Sequence, residues 1–404
     1  MLNPPFPPWP SYTAEEADAV SRVLLSNNVN YWTGEECRHF ESEFAEFAGT
    51  QHAVAMANGT LALDAALKVL GVGSASGGSA LDEVVVTPRT FLASVSSIVN
   101  AGAVPVFADV DRDTQNITAD TVRVVITPQT RAIICVHLAG MPCDMDPIMA
   151  LAAEHNLRVI EDCAQAHGAR YKGRSVGGIG HIGAWSFCQD KIMSTGGEGG
   201  MVTTNDPELW EKVWSFKDHG KSWDAVYERQ HPPGFRWLHE SFGTNARMTE
   251  MQGAIGRIQL ARMPQWNKAR RNNAKQIIAT ARRLPALRAP KMPDWADHGA
   301  YKCYVFVEPS QLANGWDRDR IMEEINQREV PCFSGSCSEV YLERAFDGTD
   351  WRPAKRLATA MELGETSLMF LVHPTLTGNE IRRTCAALSD VMAEAAAMPV
   401  GKSG

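Results

Sequence analysis

The stretch SFCQDKIMSTGGEGG, residues 186–200, places Lys191 five residues after Ser186 and just ahead of Gly196, Gly197, Gly199 and Gly200. A lysine that forms an imine with a carbonyl must be unprotonated part of the time, which calls for partial desolvation or a cationic neighbour. A lone lysine is ordinarily a solvated surface group. One held between a β-like run and a glycine-rich loop is differently placed, because the glycines let the backbone fold tightly beside a ligand. Two further stretches carry chemistry. VIEDCAQAHG closes an apolar strand with Asp162, where burial would raise the carboxylate's pKa unless a cation compensates. A protonated heterocyclic nitrogen is such a cation; a helix cap or a hydrogen-bonded turn is the structural alternative. ANGTLALDAAL sets Asn58, Gly59 and Thr60 between a strand and a helix. The N–H groups of a helix start hold phosphate well, Gly59 allows close approach, and the Thr60 hydroxyl adds a donor. An ordinary helix cap is again the alternative.

Together, a phosphate cradle, an acid for a ring nitrogen and a serine–lysine pair describe binding of pyridoxal 5'-phosphate (PLP). The elements around them must bring three distant stretches to one place. HAVAMA, EVVV, AVPVFADV, RAIICVHL, LRVIED, HIGAWSF and GGMVTT read as strands. Helices follow NGT, span 92–100, cover MDPIMALAAEHN and cover DPELWEKVWSFKDHG. Such alternation predicts an α/β fold with a large, mainly parallel sheet covered on both faces, whose ligands sit at the carboxyl ends of strands. Ahead of it, segments 13–25 and 35–47 read as helices, the second with Phe40, Phe44 and Phe47 on one face. Residues 222–245 have no clear period and read as a functional loop or a subunit contact. A helix over roughly 248–263 and a basic helix near 267–283 come next, and from about 285 a smaller α+β unit. The expected division is a large domain over 1–255, with an N-terminal helical arm, and a small C-terminal domain over 256–404.

Composition narrows the alternatives. A chain of 404 residues with 44% hydrophobic residues has material for two cores. A formal charge of -8 argues against general nucleic-acid binding. Nine cysteines without a C-x-x-C pair read as reduced thiols of a cytoplasmic protein. The start, MLNPPFPPWPSY, lacks the features of a signal peptide, and no apolar run is long enough for a membrane span. Gly178, Gly180 and Gly183 spell G-x-G-x-x-G, but a hairpin-like YKGRSVG precedes them and a strand follows, the wrong context for a dinucleotide. Asp162, Cys163 and His167 lack the second ligand pair of a structural zinc, so no metal is expected.

The motifs EDCAQAHGARYKGRSVGGIGHIGAWSF, TGGEGGMVTTND, NGTLAL, TPRTFLAS, KDHGK, TNARMTEMQGAIG and HPTLT resemble those of the DegT/StrS family of PLP-dependent sugar aminotransferases, over nearly the whole chain. The resemblance implies the PLP-dependent transferase fold type I and a homodimer with shared active sites. It implies Lys191 as the Schiff-base lysine, Asp162 at the pyridine nitrogen, and Gln165 near the ring hydroxyl. Gly59, Thr60 and Ser186 would hold the phosphate, and Phe91 would stack on the ring. Asn245 would reach the phosphate of the neighbouring subunit, with His219 and Arg247 near substrate or interface. Departures occur at Cys188-Gln189-Asp190, at Ala246 and at FLVHP. They leave the cofactor set intact and bear on the substrate.

The implied reaction moves an amino group from glutamate or glutamine to a keto sugar, most often nucleotide-linked, with Lys191 as base and acid. A keto cyclitol is the alternative substrate, faintly favoured by PPWP and Gln189. A dehydratase of this fold would replace the lysine by histidine, and a non-catalytic regulator could lose the lysine or the aspartate; this chain keeps both. Lys221, Arg229 and Arg236 are available to a diphosphate, or are simply surface cations.

Overall fold

The computed structural model describes residues 5–230 and 236–397. Helices α1 (Ala14–Ser26) and α2 (Glu36–Ala48) precede the first strand. Strands β1 (His52–Met56), β2 (Glu83–Val86), β3 (Val104–Phe107), β4 (Thr130–Val136) and β5 (Arg158–Asp162) alternate with helices α3 (Gly59–Val69), α4 (Ala93–Asn100), α5 (Ala119–Arg123) and α6 (Met145–Glu154). A hairpin, β6 (Arg170–Tyr171) and β7 (Arg174–Ser175), leads to β8 (Ile182–Ser186) and β9 (Gly200–Thr204), and α7 (Pro207–Lys217) follows. The main sheet runs β1-β9-β8-β5-β4-β2-β3. Strands β3, β2, β4, β5 and β8 are parallel; β9 is antiparallel to both β8 and β1.

The reversal at β9 has a simple cause. A parallel crossover needs a helix-sized connection, and residues 187–199 form a tight glycine-bearing loop without one. The chain therefore turns back over the strand ends, with Lys191 in the turn. Helix α2 fixes the strand beneath. Phe40 and Phe44 are fully buried on one face, and Phe44 meets Trp185 edge-on at 5.1 Å and Phe187 at 5.3 Å.

Beyond α8 (Trp223–Tyr227), helix α9 (Glu250–Ala281) is one continuous element. The sequence suggested two helices, and Pro264, which withholds the N–H that would reach back to Leu260, lies between them. Packing carries the helix through: Leu260, Met263 and Trp266 flank the proline and join the core beneath α2. Gly253 and Gly256 let α9 lie close on α2, since a Cβ there would stand 2.9 Å from the Cys37 nitrogen and 2.7 Å from the Phe40 ring. The suggested boundary at 255/256 falls inside α9, whose far end joins a second core with Ile277 and Ala281.

That core is built on a four-stranded antiparallel sheet and its helices. In chain order the elements are β10 (Leu287–Arg288), β11 (Ala296–Asp297), β12 (Cys303–Val307), α10 (Arg318–Gln327), β13 (Cys332–Phe333), α11 (Ala358–Thr366), β14 (Ser367–Phe370) and α12 (Gly378–Ala395). The sheet order is β10-β12-β14-β13, while β11 adds to the β6–β7 hairpin. Phe6, near the start of the chain, is buried in this core. The aperiodic 222–245 segment holds α8 and short bridges, and its residues 231–235 lie outside the described set, as do residues 1–4. Among the described residues no helix is long and apolar enough to cross a membrane.

Candidate active site

Strands β5 and β8 are neighbours, and their ends bring Asp162 and Ser186 to one edge of the sheet. Asp162 is 5% exposed. Its Oδ2 accepts the Ser94 hydroxyl at 2.7 Å and its Oδ1 the Ala164 N–H at 3.1 Å. Both donors are neutral, so the charge of the carboxylate is left for a ligand to balance. Thr90 and Ser94, one turn apart, share a 2.9 Å hydrogen bond that holds the hydroxyl in place. Gln165 accepts the Ala139 N–H at 2.8 Å and so braces the turn at 138–140.

The helix start opposite is capped, and its first N–H groups still point away from any carbonyl of the helix. Asn58 is the N-cap, its side chain accepting the Leu61 N–H at 2.9 Å. The first helical bond to Asn58 comes from Ala62. The N–H groups of Gly59 and Thr60, which precede it, have no carbonyl of their own helix to reach. A Cβ at Gly59 would stand 2.5 Å from the Ser186 Cβ and 3.0 Å from its Oγ. A Cβ at Gly200 would stand 2.4 Å from the Asn58 carbonyl oxygen. Glycine at both places thus lets the α3 start, the β8 end and the β9 start converge.

Lys191 follows on the loop. Its N–H reaches the Cys188 carbonyl at 3.1 Å, and its own carbonyl accepts the Trp9 indole N–H at 2.7 Å. Its Nζ lies 5.4 Å from the centre of the Tyr301 ring. Tyr301 donates its hydroxyl to Asp190. Burial raises the Asp190 carboxyl, but Lys191, the Tyr301 hydroxyl and Lys302 outweigh it and hold it below the usual range. Lys302 shares the Tyr301 ring at 4.8 Å. Burial, with Arg270 and Lys191, pushes its ammonium down to about 8 against the pull of Asp190.

The other expected residues are more open to solvent. Phe91 is 70% exposed. His219 and Asn245 are exposed as well. The Ala246 carbonyl accepts the Ala57 N–H at 2.8 Å and Arg247 bridges to Met56, so Asn245 stands beside this chain's own helix start. Arg247 pairs with buried Asp218 at 2.7 Å, as does Lys221 at 3.1 Å. Arg229 pairs with Asp224 at 2.6 Å and Glu240 at 2.7 Å. Two of the three cations offered to a diphosphate are therefore committed to carboxylates, and Arg236 is exposed.

Ser94, Tyr301, Lys302 and Trp9 were not picked out from the sequence. Ser94 lies within TPRTFLAS, one turn after Thr90, and that spacing was the available signal. Tyr301 and Lys302 carried none. The G-x-G-x-x-G stretch and the glycine before it have a structural purpose: the N–H groups of Gly177, Ile179 and Gly180 close on the buried Glu161 carboxylate at 2.9, 2.8 and 2.6 Å, and His137 completes it at 3.0 Å. Glu161, His137 and Cys163 are close enough to suggest a metal site, yet these bonds already satisfy the carboxylate. Asp162 and His167, two of the three residues weighed as ligands, are not in that group.

Buried carboxylate, converging glycines, open helix N–H groups and a half-buried lysine fit PLP: a ring nitrogen to charge-balance Asp162, a phosphate for the cradle, an aldehyde for Nζ. With this sheet topology they define the class of PLP-dependent aminotransferases. The family model of the DegT/DnrJ/EryC1/StrS aminotransferases matches residues 10–389, and the chain belongs to that family. It is 43% identical to the GDP-perosamine synthase of Caulobacter vibrioides over 87% of this chain and 89% of that protein. It is 39% identical to the dTDP-3-amino-3,4,6-trideoxy-alpha-D-glucose transaminase of Streptomyces venezuelae, over 83% and 81%. The crystal structure of an aminotransferase from Psychrobacter cryohalolentis superposes with a TM-score of 0.93 at 62% identity, covering 96% of this chain and 99% of that one.

Proposed function

We propose that this PLP-dependent aminotransferase moves an amino group from glutamate or glutamine to a nucleotide-linked keto sugar, as a cytoplasmic homodimer. The observation that supports the reading of the site is the meeting of Asp162 and the Gly59–Ser186 contact at one sheet edge, with Lys191 on the loop that leaves β8. The substrate class is supported by the two nucleotide-sugar relatives. When bound, PLP supplies an aldehyde to carry the amino group and a ring to accept the electron pair of the donor's Cα–H bond.

The chain's own residues do the rest. Asp162, oriented by Ser94, keeps the ring nitrogen protonated. Gly59, Thr60 and Ser186 hold the phosphate through backbone N–H groups and hydroxyls. Phe91 covers one ring face and Gln165 lies near the ring hydroxyl. The Nζ of Lys191 removes the proton from the donor's α-carbon and, in the second half-reaction, delivers one to the sugar carbon that receives nitrogen. Asn245, exposed beside the cradle, reaches the partner's phosphate in the dimer, with His219 and Arg247 beside it. The large domain carries these groups and the C-terminal domain closes the site with Tyr301 and Lys302.

Lys191→Arg tests the assignment, because arginine keeps the charge and loses the amine nucleophile. The variant is expected to bind PLP without a borohydride-reducible adduct and to show no turnover with glutamate and a panel of keto sugars and keto cyclitols. A reducible adduct with wild-type turnover would refute it.

A further inference from the structure

Behind Lys191 lies a buried cluster with more positive charge than the described residues balance. Arg270, on α9, is 1% exposed. One nitrogen, Nη1, reaches the Tyr301 carbonyl at 3.3 Å; Nε and Nη2 are buried and have no partner among the described residues. Its guanidinium lies 4.8 Å from the Trp9 ring centre. His373, 3% exposed, stacks on the same ring at 5.9 Å, and its Nε2 is also buried with no partner among the described residues. Its Nδ1 is engaged by Thr375 at 2.8 Å. Lys302 lies 4.8 Å from the Tyr301 ring centre, close enough to feel Arg270, and Asp190 is the carboxylate that acts on both cations.

Buried polar groups are nearly always satisfied, and a buried charge is paired. Here burial pushes Arg270 down to about 9 and His373 down to about 3. A guanidinium keeps its proton at neutral pH, so Arg270 stays a cation lacking two acceptors. With Lys191 engaged by the cofactor, Arg270 and Lys302 face one carboxylate that already accepts the Tyr301 hydroxyl. The excess is one positive charge. A compact anion would match it: two oxygens for Nε and Nη2, in the bidentate geometry arginine favours.

We propose that Arg270, with Lys302, binds a carboxylate of the amino donor and so sets its α-carbon beside Lys191. The proposal rests on the aminotransferase reading. The donor is the reactant that brings a small carboxylate into a buried site; the phosphates of a nucleotide sugar are bulkier.

The test uses holoenzyme and succinate, which has carboxylates and no amine. Succinate is expected to raise the melting temperature of the wild type by about 3 °C at saturating concentration, and to leave Arg270→Met and Lys302→Met unmoved. Sulfate at equal ionic strength, which lacks the donor's carbon frame, should protect less than succinate. In single-turnover absorbance measurements, the glutamate concentration for half-maximal rate should rise about 30-fold in Arg270→Met, and less in Arg270→Lys. The return half-reaction, from aminated enzyme with keto sugar, should keep its concentration dependence. Equal protection of wild type and variants by succinate, equal protection by sulfate, or parallel loss in both half-reactions would overturn the proposal. Wild-type enzyme that transaminates no amino acid would instead strike at the aminotransferase reading, and the succinate measurements decide the anion site without turnover.

Discussion

Gly59→Ala is the most exacting test of the cradle, because the structure sets two effects of opposite sign. Gly59 opens α3 outside the left-handed region, so alanine meets no backbone obstacle. Alanine is the better helix former, by up to about 1 kcal/mol in an interior and less in a first turn. Fold stability should therefore hold or rise slightly. The added methyl, however, would stand 2.5 Å from the Ser186 Cβ and 3.0 Å from its Cα and Oγ. Ser186 closes a strand buried at all five positions and cannot retreat freely. Relief must come from moving the α3 start away from the strand end, which opens the cradle. Overpacking of this kind costs about 1–3 kcal/mol, or roughly 5- to 150-fold in the dissociation constant of PLP. Titrating apoenzyme with PLP gives that constant, and a melting curve of the apoenzyme gives the stability. Ser186→Gly supplies the control, since it removes the Cβ that the methyl strikes. The loss from Gly59→Ala should shrink in that background, a coupling a double-mutant cycle measures. Unchanged PLP affinity in Gly59→Ala, or strictly additive losses in the double variant, would refute the reasoning.

Ser94→Ala removes the hydroxyl that orients Asp162 and should slow both half-reactions alike, by about 10-fold or more, for the loss of a hydrogen bond to a charged group worth about 1.5–3 kcal/mol; stopped-flow absorbance reads both, and a loss confined to one would count against an orienting role. The apoenzyme should lose stability in mild acid. Burial pushes His167 and His373 down to about 3, and His298, aided by Arg271, down to about 4. Between about pH 4 and 6.5 the unfolded chain binds protons that the folded chain refuses, so stability falls as pH falls. From pH 7 to 5.5 each histidine costs about 1.2 kcal/mol, while Asp64, pushed up to about 6 by burial, offsets just under 1. Urea unfolding at the two pH values should differ by about 3 kcal/mol; equal stabilities would show that these rings protonate inside the fold.

The parts legible in the sequence were those with local causes. Strands that pack on both faces spell apolar runs, and β1, β2, β4 and β5 lie within a residue or two of where those runs fall. Asp162 stands out because a carboxylate closing such a run must have a reason. Lys191 stands out through its glycines. What stayed hidden depends on partners far along the chain. Tyr301 reaches Asp190 across 111 positions, and nothing near either residue announces the other. Lys221 and Arg229 looked available to a diphosphate because Asp218, Asp224 and Glu240 cannot be seen to face them in one dimension. Pro264 reads as a break because its lost hydrogen bond is local, while the packing that overrides it comes from α2 and the core below.

The β8–β9 connection shows why the lysine is there at all. The parallel steps from β2 through β5 run from a strand end through a helix and back to the opposite edge, and the β5–β8 step returns through the β6–β7 hairpin; each carries the chain away from the ligand side. At β8 the glycines Gly196, Gly197, Gly199 and Gly200 permit a reversal short enough to stay on that side. Gly196 and Gly197 sit at φ 88° and 114°, open to glycine and strained for other residues. The return strand begins at Gly200, against the Asn58 carbonyl, which ties the loop's far end to the cradle. Trp9 holds the Lys191 carbonyl from the other side. The backbone that bears the amine is thus held by the N-terminal segment through Trp9 and, through Gly200, by the start of α3. A helix in place of this loop would carry the lysine away from the strand ends, however favourable its own chemistry.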